Sequence, residues 1–403
     1  MIQIKGTQTI AEVEKLFDRL SASGEDEDLL LPGELRGWRC GGTPSLIQFI
    51  LTWAFQNKEA SLRLHYDDEK FVKKGIADLA RKFHGYVALA VSKKVIGING
   101  KDLNLIVKNA LIEESQRRWS DEKANYRGPG LFYVCVDDPP FNVFSLPFYD
   151  PNENVVSSKT VENYFKLNLI PYLFKHFKQD PRVLNDLQVQ IISRAVWELF
   201  KNTHDWARND SIGKIEKSVR GIFVYFHSSN KEQKNDFSLL AKDSKPYQIY
   251  FENLKLKESD QFLEVAIFDS GMGLAQVLSK MKLSEGRFLQ EEYKYVLKCF
   301  EKHSTSSGIV NRGLGLFDVM RFLTQTRGFL RVRTGSLSLY RDFSVDPLTD
   351  KEEEKFRIKG LEDDFGPCFL RDWLTQDVIP TARPWARGLL IDMIFPVSRP
   401  IKP

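Results

Sequence analysis

At 403 residues the chain is long enough for two or three domains, each with its own core. Hydrophobic residues make up 42% and charged residues 28%, a balance that excludes a disordered chain; a net charge of +4 neither demands nor excludes a nucleic-acid partner. Four cysteines (Cys40, Cys135, Cys299, Cys368) lie far apart with no C-x-x-C pair to suggest zinc or redox chemistry, and read as reduced thiols of a cytoplasmic protein.

The N-terminus, MIQIKGTQTIAEVEK, lacks the cationic start and apolar run of a signal peptide. The longest apolar stretch, near Leu46 to Phe55, falls well short of the ~20 residues a membrane helix needs, so a soluble protein without membrane contact is expected. Residues 1–136 read as a small α/β unit. Thr43-Pro44 looks like an N-cap with proline in the first turn, opening a helix through Phe55. Ser61 to Tyr66 alternates as a half-buried strand, and a helical stretch from Lys70 to Phe83 leads into the apolar run Tyr86 to Val91. The resulting β-α-β-α-β order is faintly similar to STAS-type interaction domains. Residues 137–160 carry four prolines among Asp, Asn and Ser, the composition of a linker.

Across residues 161–403 the pattern changes. Helices are expected at Glu162–Lys178 and Leu184–Arg208, then strands at Gly221–His227, Tyr247–Leu256 and Phe262–Phe268. After a helical insertion, strands follow at Gly328–Thr334, Ser336–Arg341 and Gly388–Phe395. Helices first and a mostly hairpin-connected sheet after them imply a two-layer α+β sandwich, within an α/β chain overall.

Three groups of residues carry chemistry. In the second helix Glu198, Asn202 and Asp205 stand at i, i+4 and i+7, so they share a face, with Ile191 and Ala195 on it and Leu199 and Trp206 flanking it. A carboxylate and an amide beside apolar groups cost several kcal/mol unless partners satisfy them, which separates a site from a solvated stripe. The strand ending at Phe268 delivers Asp269, followed by Ser-Gly271-Met-Gly273-Leu274, where two glycines let a ligand approach the backbone. Third, a segment with Ser304, Thr305 and Ser306 runs into Arg312, Gly313, Leu314, Gly315 and Leu316 at the start of a helix. Free N–H groups and the helix dipole make such an entry a phosphate cradle. It is neither a P-loop, lacking the Lys-Ser/Thr, nor a dinucleotide fingerprint.

In this order, with strands between them, the three resemble the boxes of the GHKL superfamily (gyrase, heat-shock chaperone, histidine kinase, MutL): E-x-x-x-N-x-x-D-x-A, D-x-G-x-G and G-L-G-L. The resemblance covers residues 160–397 and implies a Bergerat ATP-binding fold. It implies that Asn202 ligates Mg²⁺, and that Asp269 accepts the adenine amine with Gly273 leaving room for a water. Ser304, Thr305, Ser306 and the amides of Gly313 to Leu316 would hold phosphates, and Glu198 would orient or deprotonate the attacking water. Residues 275–312 match the mobile lid. ATP and Mg²⁺ are the implied cofactors. A protein partner or a nucleotide-dependent homodimer is the implied output of slow ATP hydrolysis.

The chain departs from the family at Arg387-Gly388-Leu389, where a Gly-Thr pair is usual; Thr381 or Ser336 are the substitutes for the missing hydroxyl. Lys302, Arg312 or an N-terminal lysine would sense the γ-phosphate. The rival readings are a kinase of histidine-kinase or anti-sigma type, and an adaptor that binds ATP without turnover. Glu198 speaks against the kinase, as does the lack of an acidic residue after His65, His84, His176 or His227. His204 and His303 sit inside motifs and read first as packing elements.

Overall fold

Through the first 120 residues, strands of two or three apolar residues alternate with helices. They are β1 (Ile2–Gln3), α1 (Ile10–Ala22), β2 (Leu29–Leu31), α2 (Gly42–Gln56), β3 (Leu62–Leu64), α3 (Glu69–Ala80), α4 (Phe83–Val91), β4 (Val95–Gly97) and α5 (Asn104–Ser120). The coordinates are a computed structural model. They describe every residue except 7, 24–25, 37–39, 58, 67–68, 139–143, 145, 177–183, 209–216, 229–240, 242, 256–260, 280–288, 301–314, 350–369 and 398–403. The four strands pair in parallel in sequence order. Right-handed crossovers in such an order put the connecting helices on one face. The first helix is fixed at its start by a capping box, in which Glu12 N donates to Thr9 Oγ1 at 3.2 Å and Thr9 N donates to Glu12 Oε2 at 2.8 Å. The apolar run Tyr86–Val91, expected as a strand, is helical, and the strand comes later at Val95–Gly97. That run is buried on all sides, so it lacks the periodicity that separates helix from strand.

Strands β5 (Tyr126–Arg127) and β6 (Gly130–Asp137) follow. Next come α6 (Ser158–Tyr164), a π-helical turn (Phe165–Leu169), α7 (Ile170–His176), α8 (Asp186–Trp206), β7 (Ser218–Ser228) and α9 (Lys245–Leu254). The chain continues with β8 (Gln261–Asp269), α10 (Leu274–Ser279), α11 (Leu289–Cys299), α12 (Gly315–Thr326), β9 (Phe329–Gly335), β10 (Leu337–Asp342), β11 (Arg371–Asp372) and β12 (Ala386–Pro396). Strands β5 to β12 form one eight-stranded antiparallel sheet, ordered β11-β10-β9-β12-β8-β7-β6-β5. The segment expected as a strand at Tyr247–Leu256 is helix α9: Tyr247, Tyr250, Phe251 and Leu254 are buried at helical spacing.

Two expectations about the division of the chain are corrected. Residues 126–136, assigned to the N-terminal unit, carry β5 and β6, which join the large sheet: β5 pairs with β6 and β6 with β7. Within the expected linker 137–160, Phe144, Phe148 and Tyr149 are buried in the core between the large sheet and α6–α8. Aromatic side chains there outweigh the proline-rich composition, because burying each ring removes a large apolar area from water.

The mixed α/β class is as expected. The layering goes further than two layers. One face of the large sheet, with Leu263, Val265, Ile267, Leu330, Val332, Ile391 and Met393, packs against α6–α8, α11 and α12. The other, with Phe132, Phe223, Ala266, Phe268 and Leu390, shares a core with α2, α4 and the inner side of the parallel sheet. Helix α2 is therefore apolar nearly all round, from Leu46 to Trp53. No helix among the described residues is long and apolar enough to cross a membrane.

Candidate functional site

Helix α8 starts at a second capping box, Asn185 with Gln188 (2.8 and 3.1 Å), which sets the rotation of the helix on the sheet. Ile191, Ala195 and Leu199 are buried, and Glu198, Asn202 and Asp205 are half-buried on the neighbouring strip. Burial is the main force raising the Glu198 pKa; Arg194 opposes it and the nearby Asp318 adds to it. Asp205 accepts an ion pair from Lys201 at 2.9 Å, so the two strips of the helix are joined rather than separate.

Asp269 ends β8 on the face that α8 covers, opposite Arg220 and Leu389 in the two flanking strands. Its side chain is buried, and Gly271 N–H donates to Oδ1 at 2.8 Å. Burial pushes its pKa up to about 6, against the pull of the Gly271 and Leu389 amides and of Arg387 and Arg220. Gly273 and Gly388 both hold positive φ (88° and 71°), and the chain passes so closely that a Cβ at 388 would fall on the Asp269 carbonyl oxygen. The hydroxyl beside this turn belongs to Thr334: it accepts from Leu274 N at 3.3 Å and donates to Gly388 O at 3.0 Å. The two expected substitutes are engaged elsewhere, Thr381 with Asp372 and Ser336 with Glu292.

The other two segments converge on α8. A Cβ at Gly315, the first residue of α12, would stand 3.2 Å from Glu198 Oε2 and 3.3 Å from Asn202 Nδ2. A Cβ at Gly271 would stand 2.9 Å from Ala207 Cα, just past the other end of the same helix face. Nine residues separate Glu198 from Ala207, a length of about 13 Å along the axis. Leu316 is buried in the core beneath, and Leu274 packs against that core and opens α10. Ser304, Thr305, Ser306, Arg312, Gly313 and Leu314, with Lys302 and His303, lie outside the described residues.

Sequence reasoning missed the group that holds the last turn of α8. Asp137, at the end of β6, accepts from Arg220 (2.7 Å) and Arg208 (2.9 Å). Arg220 also donates to Tyr149 Oη at 2.6 Å, and that hydroxyl lies 2.8 Å from His204 Nδ1. Burial and the two arginines lower the His204 pKa to about 4, so the ring is neutral and serves packing. The one hint was Arg220 itself, an arginine entering an apolar strand. Also missed was Arg387, whose Nε donates to Ser270 O at 2.8 Å while its guanidinium lies over Phe55 of α2 at 3.9 Å. Its backbone N–H donates to Thr52 Oγ1 at 3.0 Å, so α2 buttresses the turn beside Asp269 from the opposite face of the sheet. A separate surface cavity of about 570 Å³, at the carboxyl ends of β1–β3 and lined by Lys5, Pro32, Arg36 and His65, shares no residue with this group.

No family profile, curated protein or solved structure matches this chain.

Proposed function

We propose that the cleft between α8, the Asp269 turn and the start of α12 binds Mg-ATP and slowly hydrolyses it, as the GHKL-like motifs imply. The observation that carries the reading is the convergence of two distant segments, the Asp269 turn and the start of α12, on one face of α8, with a glycine at each point of closest approach. The distance of about 13 Å along α8 between those two points suits an extended nucleoside triphosphate, with Asp269 toward the base and Gly315 toward the phosphates. The buried Asp269 carboxylate, its Oδ1 already fixed by Gly271, suits the exocyclic amine of adenine. At the other end, the cradle that a Cβ at Gly315 would fill lies between the side chains of Glu198 and Asn202, oxygen donors of the kind magnesium takes. When bound, the ion would neutralise phosphate charge, with Asn202 as its protein ligand.

Glu198 then acts on water. The water oxygen attacks the γ-phosphorus, the bond to the β–γ bridging oxygen breaks to release ADP, and the water proton passes to the Glu198 carboxylate. Its raised pKa suits that acceptance. The proposed output is lid closure that favours self-association or a protein partner. The deciding experiment follows phosphate release by the full chain with Mg-ATP, beside the melting shift that ATP induces. Phosphate release lost in Glu198→Ala with the shift retained supports hydrolysis at this site. A shift without release in the wild type means a nucleotide sensor, and label transferred to a second protein means a kinase. A shift unchanged in Asp269→Asn sinks the adenine assignment.

A further inference from the structure

On the face of the large sheet covered by the N-terminal helices, three side chains from distant segments meet. They are Cys40, two residues before α2, His227 of β7 and Glu264 of β8. All are buried, and their donor atoms lie within 4.8 Å of one another. Cys40 Sγ is 3.9 Å from His227 Nε2, and the same nitrogen is 2.6 Å from Glu264 Oε2. We propose that Cys40, His227 and Glu264 bind a divalent transition-metal ion of the zinc class, which pins the start of α2 to the large sheet.

Thiolate, imidazole and carboxylate are the donor set of such an ion. The charges balance: one thiolate and one carboxylate cancel a divalent ion beside a neutral imidazole, so the occupied site carries no net charge into the core, where a lone ionised group is costly. A tetrahedral ion with ordinary zinc bond lengths sets S···N near ~3.6 Å and N···O near ~3.3 Å. The first is close to what is found; the second requires the His227–Glu264 hydrogen bond to open by roughly 0.7 Å as the ion replaces the shared proton. Gly41 N–H donates to Glu264 Oε1 at 2.9 Å, which orients the carboxylate and leaves Oε2 toward the histidine. Asp392 of β12 stands on the same sheet face, outside this group of three. Its Oδ2 accepts from Tyr247 Oη at 2.6 Å, and its buried Oδ1 has no hydrogen-bond partner among the described residues. Separations of 187 and 37 residues hide the group from any search for ligand spacing.

The test uses the full chain, purified under reducing conditions without chelator or metal-affinity resin, and is independent of the nucleotide reading. About one zinc per chain by mass spectrometry is expected. Refolding with Co²⁺ alone should give tetrahedral ligand-field bands and a thiolate-to-cobalt charge-transfer band. Cys40→Ser should lose the charge-transfer band, and His227→Gln, which keeps a hydrogen bond to Glu264, should lose the ion. A wild-type chain that holds neither zinc nor cobalt after refolding overturns the proposal. So does a Cys40→Ser chain with the wild-type cobalt spectrum. Should neither variant fold, the wild-type cobalt spectrum decides alone, since absence of the charge-transfer band excludes a cysteine ligand.

Discussion

The two faces of the large sheet use charge in opposite ways. Toward α8 and α12 the middle of the sheet is apolar, and the polar groups stand at strand ends and on the helix, where the carboxylates Asp269 and Glu198 and the amide Asn202 border the proposed nucleotide site. Toward α2 and α9 the ionisable groups reach into the strands: Glu264, Arg331, Arg333 and Asp392 stand in mid-strand and His227 one residue from the end of β7, and all five are buried. A site needs its polar groups at an open edge. A seam between layers can place them anywhere, provided each finds a partner.

The largest effect should come from breaking that seam. Glu14 of α1 is buried against Arg333 (3.2 Å), Arg331 (3.5 Å) and Arg383 (3.5 Å). Burial alone would raise its pKa, but the three guanidinium groups hold it below the usual carboxylate value. Glu14→Gln leaves two fully buried arginines without their counter-charge, and removing one partner of a buried pair costs about 3–5 kcal/mol. Urea unfolding measures this. A loss under 1 kcal/mol would mean that the arginines are satisfied by backbone carbonyls alone, such as Gly335 O and Pro384 O for Arg333.

On the cleft face, by contrast, one charge should work against stability. Asp269 has its folded pKa raised from 3.8 to about 6. The folded state therefore binds the proton more tightly than the unfolded chain, and the ionised carboxylate costs stability progressively as pH rises from about 4 to about 6, remaining costly above that. Two units correspond to about 3 kcal/mol. Without nucleotide, Asp269→Asn should be more stable than the wild type by up to that amount at pH 8 and nearly equal to it near pH 4. An equal gap at both pH values would show that the ionised carboxylate is not the cause.

Legibility in the sequence followed the same division. The α8 stripe, the β8 end and the start of α12 are local patterns; in the structure Gly315 lies against Glu198 and Asn202, and Gly271 against Ala207. The α/β class was equally plain from periodicity. What was illegible depends on a second layer. Glu264 and Asp392 interrupt apolar strands in the way that solvent-facing residues do, and the start of α2 and helix α9 cover them. Phe148 and Tyr149 were hidden by neighbouring prolines, and α9 was mistaken for a strand because its aromatic residues favour strands when taken singly.

Within the proposed ATPase reading, Glu198→Gln should lower hydrolysis about 10²-fold while ATP binding is kept. Glu14→Gln should instead lower stability with the proposed nucleotide site intact. A Glu198→Gln chain that turns over at the wild-type rate would leave the helix stripe with a packing role only.

The smallest effect tests whether Thr334 replaces the hydroxyl that Leu389 lacks. Its Oγ1 links the two turns flanking Asp269, accepting from Leu274 N and donating to Gly388 O. Thr334→Val removes both bonds at similar shape, and an ordinary intramolecular hydrogen bond contributes about 1 kcal/mol. If that energy serves only the fold, it appears in the urea midpoint and nowhere else. If it holds the Asp269 turn ready for adenine, part of it appears as weaker binding, up to about fivefold in Kd for both ATP and ADP. Both nucleotides should suffer equally, because the proposed orientation puts the adenine far along α8 from the phosphates. Thr334→Ser should restore affinity, since the hydroxyl rather than the methyl makes the links. Weakening of ATP binding alone would place Thr334 with the phosphates and contradict the orientation assigned to the cleft.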